Sequence, residues 1–174
     1  MNKSLEVLYE EHAIIINAID AAKKASQLIE KKPGEYEDNI RRLIDFFRTY
    51  ADQFHHHKEE EILFPEMAKR NELLKGSILH EMLENHADFR IQIKEIEQLL
   101  NKKEYSSAQA ILNSYTDALL NHIAAENEEV FPMAESLFND KELQTIQFRF
   151  MDTDSNLGLN KKSKYADWTR SLNL

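Results

Sequence analysis

The chain has 174 residues, a formal charge of −9 and no cysteine. That is enough sequence for one domain with a real core, and it excludes disulfides, thiolate metal sites and thiol chemistry. The acidic balance disfavours nucleic acid or an anionic membrane surface as partner, because phosphates would be repelled rather than neutralised. The opening MNKSLEVLYEEH carries acids where a secretory signal needs an apolar stretch, and the apolar runs are too short to span a bilayer. A cytoplasmic setting is therefore expected.

Three glycines and three prolines punctuate the chain, and the segments between them repeat apolar residues every three or four positions, which predicts an all-helical protein. The first helix is expected from about Ser4 to Lys32, where KKPGEYED breaks it, with Leu5, Leu8, Tyr9, His12, Ile15, Ile16 and Ile19 on one face. The second carries Leu43, Ile44, Phe47, Ala51 and Phe54 into the run FHHHKEEEILFP, ending at Pro65 or in KRNELLKGS. The third, capped by Ser77, aligns Met82, His86, Phe89, Ile93, Ile96 and Leu100. The fourth aligns Ile111, Tyr115, Leu119, His122 and Glu126. Four long amphipathic helices with short connections imply an antiparallel up-down four-helix bundle over residues 1–138. Residues 139–174 form a C-terminal extension of short helices from KELQTIQFRF and KKSKYADWTRSL, with Trp168 docked on the bundle or on a neighbouring copy in a homodimer. Between them DTDSNLG has the alternation of a calcium loop but places Leu157 where glycine is needed and Ser163 where the bidentate glutamate belongs, so calcium is not expected there.

The run at 55–61 offers three histidine–glutamate pairs with one four-residue offset: His55/Glu59, His56/Glu60 and His57/Glu61. A repeat bears on the choice. HHHKEEEILFP at 55–65 and HIAAENEEVFP at 122–132 both fit H-x-x-x-E-x-x-x-x-F-P, and each is preceded by a similar element, EEHA at 10–13 and ENHA at 84–87. The chain reads as two copies of a helical hairpin. At about 100° per residue, His122 and Glu126 fall on the apolar arc of their helix. In the second helix the same rule turns His56 and Glu60 to water and leaves His55/Glu59 and His57/Glu61 nearly tied. The repeat selects His55 and Glu59.

Four histidines (His12, His55, His86, His122) and two glutamates (Glu59, Glu126) then face one interior. Buried carboxylates without partners are costly, and one or two cations would neutralise them while using every imidazole. Imidazole and carboxylate without sulfur suit non-haem iron, with manganese and zinc as competitors. HEMLENH lacks the zinc-protease spacing, and His80 is expected at the surface.

These motifs resemble the hemerythrin-like (HHE) cation-binding domain over about residues 4–135. The resemblance implies two non-haem iron ions in the bundle, with His12 and His55 serving one, His86 and His122 the other, and Glu59 and Glu126 bridging. It implies a small diatomic ligand, oxygen or nitric oxide, and no catalytic side chain beyond the ligands. Oxygen-carrying members have H-x-x-x-H on the third helix, where this chain has Arg90, so the resemblance turns toward the branch associated with iron–sulfur repair, gas sensing and peroxide chemistry. That branch's repair proteins carry a further domain with cysteines. Iron or cation storage and an oxidase- or peroxidase-like enzyme are the alternatives.

Overall fold

In a computed structural model, residues 4–172 are described; the ends of the two expected segments, residues 1–3 and 173–174, lie outside the described residues. Among the described residues the chain is helical throughout, with no strand.

Helix α1 (Glu6–Lys24) tightens into a 3₁₀ turn at Ala25–Leu28, short of the expected Lys32. Pro33 then opens α2 (Pro33–Phe46) from its first turn, where its missing N–H costs nothing. The helix does not stop at Pro65. It widens into π-helical segments at Phe47–His56 and Glu59–Leu63 and continues as α3 (Phe64–Arg70), ending at Asn71, whose backbone is extended. Helix α4 (Ile78–Asn101) follows. Ser77 precedes it without the expected side-chain cap, because its hydroxyl donates back to the carbonyls of Leu73 and Leu74. Helix α5 (Tyr105–Ala125) again widens into a π segment, Glu126–Val130, and continues as α6 (Phe131–Leu137).

The shared Phe-Pro string accounts for two of the π turns. A proline inside a helix clashes with the carbonyl four residues back and cannot bond it. Here the N–H just before each proline reaches one residue further: Phe64 donates to the Glu59 carbonyl and Phe131 to that of Glu126. The insertion of one residue into the turn is a π-bulge, and it lies directly after each glutamate of the repeat.

The C-terminal part forms two helices as expected, α7 (Asp140–Leu157) and α8 (Leu159–Arg170), turning at Gly158 with φ 106°, a conformation open mainly to glycine. Asn139 and Glu142 form a capping box at the start of α7. Most of DTDSNLG belongs to the last turns of α7, and Asp154 within it is buried.

Helix α5 packs on both α4 and α1, and the π segment Phe47–His56 packs on α1 and α4. Two apolar clusters result. One holds Ile15, Ile44, Phe47, Phe89, Ile93 and Leu119, the other Leu8, Leu63, Met82, Val130 and Phe131. His12 falls between Leu8 and Ile15, and His86 between Met82 and Phe89, so the polar residues occupy the layer separating the clusters. The C-terminal helices join both cores: Leu143, Ile146 and Phe150 enter the second, while Ala166, Tyr165 and Trp168 pack on the first. Trp168 lies 5.9 Å from Phe46 between ring centres and 5.0 Å beneath the Arg42 guanidinium.

Because Trp168 is the single tryptophan, its fluorescence reports this docking alone. In urea its emission should red-shift in the same transition that abolishes helicity by circular dichroism; an earlier fluorescence transition would mean that the C-terminal helices unfold separately.

Candidate metal centre

All six residues expected at the site are at least 98 % buried and converge from α1, α4 and the two proline-interrupted helices. Glu59 turns Oε1 toward His55 Nε2 (3.4 Å) and Oε2 toward His86 Nε2 (3.5 Å). Glu126 turns Oε2 toward His12 Nε2 (3.2 Å) and Oε1 toward His122 Nε2 (3.2 Å). Each carboxylate thus spans two groups of imidazoles with one oxygen apiece. His86 Nε2 and His122 Nε2 are 3.0 Å apart. Separations near 3 Å are those of donors each held roughly 2.1 Å from one shared ion.

The structure corrects the expectation that His56 and Glu60 face water. His56 is 2 % exposed, stacks on His86 at 3.9 Å between ring centres, and forms a group with Glu59, His86 and His122; His12, His55, Glu59 and Glu126 form the second. The cause is the π segment ending at His56. A turn widened by one residue advances less around the axis per residue, so adjacent His55 and His56 both reach the interior and serve opposite groups. The 100° rule used for this helix was the wrong period. His57 and Glu61 are exposed, which removes the rival register. His80 is exposed beside Glu84, as expected. Arg90 lies outside, holding Asp52 and Glu60.

The Nδ1 atoms turn away from the centre toward partners. His55 donates to Glu11 Oε2 (2.9 Å), His86 to Glu60 Oε1 (2.8 Å) and His12 to Asn127 Oδ1 (2.8 Å). His56 has a longer approach to Asp52 (3.4 Å), and His122 faces the Asn85 side-chain amide at 3.4 Å, which accepts from Nδ1 once turned over. Such partners fix the tautomer that leaves Nε2 free to ligate. They follow the repeat. The residue before each isolated histidine, Glu11 or Asn85, holds the paired histidine of its own hairpin. The residue after each glutamate, Glu60 or Asn127, holds the isolated histidine of the other hairpin. EEH/ENH and EE/EN carry this signal in the sequence, one residue to either side of the ligands.

The electrostatics agree with a missing positive centre. Burial, and then the neighbouring Glu126, push the Glu59 carboxyl well above its usual range. Burial acts the same way on Glu126, but His122 and His12 outweigh it and hold that group well below. Burial also lowers two of the histidines: His55 to about 4, with His12 adding to the effect, and His56 well below its usual value, with His86 adding. Nε2 of His12, His55 and His56 and all four oxygens of Glu59 and Glu126 are buried without a hydrogen-bond partner. Orphaned buried groups of this kind are costly, and a cation between them satisfies all seven atoms. The donor set, imidazole and carboxylate only, fits two such ions of the iron, manganese or zinc type.

Two outcomes test this geometry. His56→Ala should lower metal content by direct analysis of the purified protein, whereas His57→Ala should leave it unchanged; the reverse would restore the discarded register. Protons compete with metal for imidazole. His55, lowered to about 4 by burial, and His56, lowered as well, resist protonation at pH 5.5 and yield only as the pH nears 4, so any metal they hold should be gone by then. Metal retained well below pH 4 would contradict ligation by these imidazoles.

Comparison with curated proteins and with solved structures finds no match. The model of the hemerythrin HHE cation-binding domain matches residues 3–134, the span that holds every residue of both histidine–glutamate groups. By that match and the motifs it covers, the chain belongs to the hemerythrin HHE cation-binding family.

Proposed function

We propose that the protein is a non-haem di-iron protein that binds or senses a small diatomic ligand, oxygen or nitric oxide. The observation that supports this reading is the unequal division of donors. His12 and His55 with one oxygen from each glutamate give one position four donors. His56, His86 and His122 with the other Glu59 oxygen also give four, but three of these are imidazoles, and Glu126 Oε1 lies 3.2 Å from His122 Nε2 beside them. For ions that favour six ligands, four donors leave room for an exogenous molecule. His56 also supplies a fifth imidazole from the second helix, where Arg90 withholds it from the third, so the lack of H-x-x-x-H no longer counts against reversible binding.

Iron bound here would supply reversible electron donation to such a ligand. The chain's own residues shape what can enter. His12 is packed by the Phe131 ring, stacked at 5.4 Å, with Tyr9 edge-on against Phe131 at 5.1 Å, an apolar wall that favours a small uncharged molecule over an anion. The Nδ1 partners hold the imidazoles in place, and the two apolar clusters keep bulk water from the layer between them. We read residues 1–138 as an antiparallel four-helix bundle carrying the centre and residues 139–174 as an extension packed on it. A cytoplasmic setting accords with the absence, among the described residues, of a helix long and apolar enough to cross a membrane.

Rapid mixing of the reduced, iron-loaded protein with oxygen tests the reading. A charge-transfer band that disappears on deoxygenation is expected. Turnover with peroxide would favour an enzyme, and an unchanging spectrum would favour iron storage. Glu126→Ala should deplete both positions, because each loses one of its carboxylate oxygens; loss of a single ion per chain would mean that Glu126 does not bridge.

A further inference from the structure

Lys58 lies between the site glutamate Glu59 and the solvent-facing His57, yet it is fully buried. Its ammonium donates to the Phe54 carbonyl (2.7 Å) and pairs with Glu11 Oε1 (2.8 Å) and Asp154 Oδ1 (2.5 Å). From α8, Lys162 pairs with Asp154 Oδ2 (2.5 Å) and with Glu11 Oε1. Two cations and two anions therefore close a ring, Glu11–Lys58–Asp154–Lys162, and the free oxygen of Glu11 accepts from His55 Nδ1 at 2.9 Å. Half of the ring comes from α7 and α8, beyond the span matched to the HHE domain.

The repeat shows that this ring is specific to one side of the centre. The positions equivalent to Glu11 and Lys58 in the second hairpin are Asn85 and Ala125, both uncharged, and the histidine held there, His122, has no such network. A ring of buried charges is a poor device for stability alone, since apolar residues of the same volume serve as well or better. What it supplies is a fixed orientation, and what it orients is a carboxylate bonded to a site histidine.

We propose that Asp154 and Lys162 are positioning residues of the metal centre, locking Glu11 against His55 so that the α7–α8 hairpin sets the affinity of the His12/His55 position. This rests on the metal reading above. With Lys162 removed, Glu11 and Asp154 share a single ammonium and repel one another, and Glu11 is released from its fixed approach to His55. Removing Asp154 as well restores the balance, because Lys58 then serves Glu11 alone.

Titration of the full-length protein with cobalt(II), followed by visible absorption and direct metal analysis, separates the outcomes. The unmodified protein should take two ions. Lys162→Met should weaken one of them about tenfold, the scale typical of lost outer partners, and leave the other within about threefold. The double variant Lys162→Met/Asp154→Asn should return the weakened ion to within about threefold of the original. Unchanged binding in Lys162→Met, equal weakening of both ions, or a double variant worse than the single would overturn the assignment and leave the hairpin a packing element. An unmodified protein that takes up no cobalt would instead overturn the metal site itself.

Discussion

Two carboxylates facing each other across a dry interior are the constraint on which the rest of the molecule depends. Glu59 and Glu126 are fully buried, and none of their oxygens has a hydrogen-bond donor. Such a pair is tolerable only if a proton or a cation lies between or beside them. His55, His56 and His86 are poorly placed to supply it, because burial disfavours their protonated forms. The apolar clusters on either side make the layer dry, and dryness makes the charge deficit expensive. Packing and metal chemistry are here one problem.

Much of this was legible in the sequence because the repeat is strong. The spacing of histidine and glutamate to Phe-Pro matched His55 with His122 and Glu59 with Glu126, and the helical faces around His12 and His86 were regular enough to orient them. His56 was not legible. Its inward direction depends on a π segment that contains no proline or glycine to announce it, and a helical wheel with an α period necessarily turns it outward. The π turns after Glu59 and Glu126, by contrast, were written in the Phe-Pro strings. A proline inside such a string is a cause of widening and not only a candidate stop.

The outer partners were half legible. Glu11, Asn85, Glu60 and Asn127 occupy equivalent places in the two hairpins, so a reading that followed the repeat one residue to either side of each ligand would have found them. Asp154 and Lys162 could not be found that way, since they come from helices with no counterpart in the repeat. In a pattern that seemed to offer a failed calcium loop, Asp154 is instead the corner of a charge ring reaching a site histidine through two side chains.

The stacking of His56 on His86 breaks the symmetry that the two hairpins would otherwise impose, because the equivalent position in the second hairpin is Ile123. A group of donors richer in nitrogen and another richer in oxygen, with Glu59 turning one oxygen to each, do not rank metals in the same order. The three-imidazole side favours ions partial to nitrogen, and the other side suits a harder, oxygen-seeking ion. A chain built from a duplicated hairpin in this way presents two unlike faces to whatever cation enters the layer.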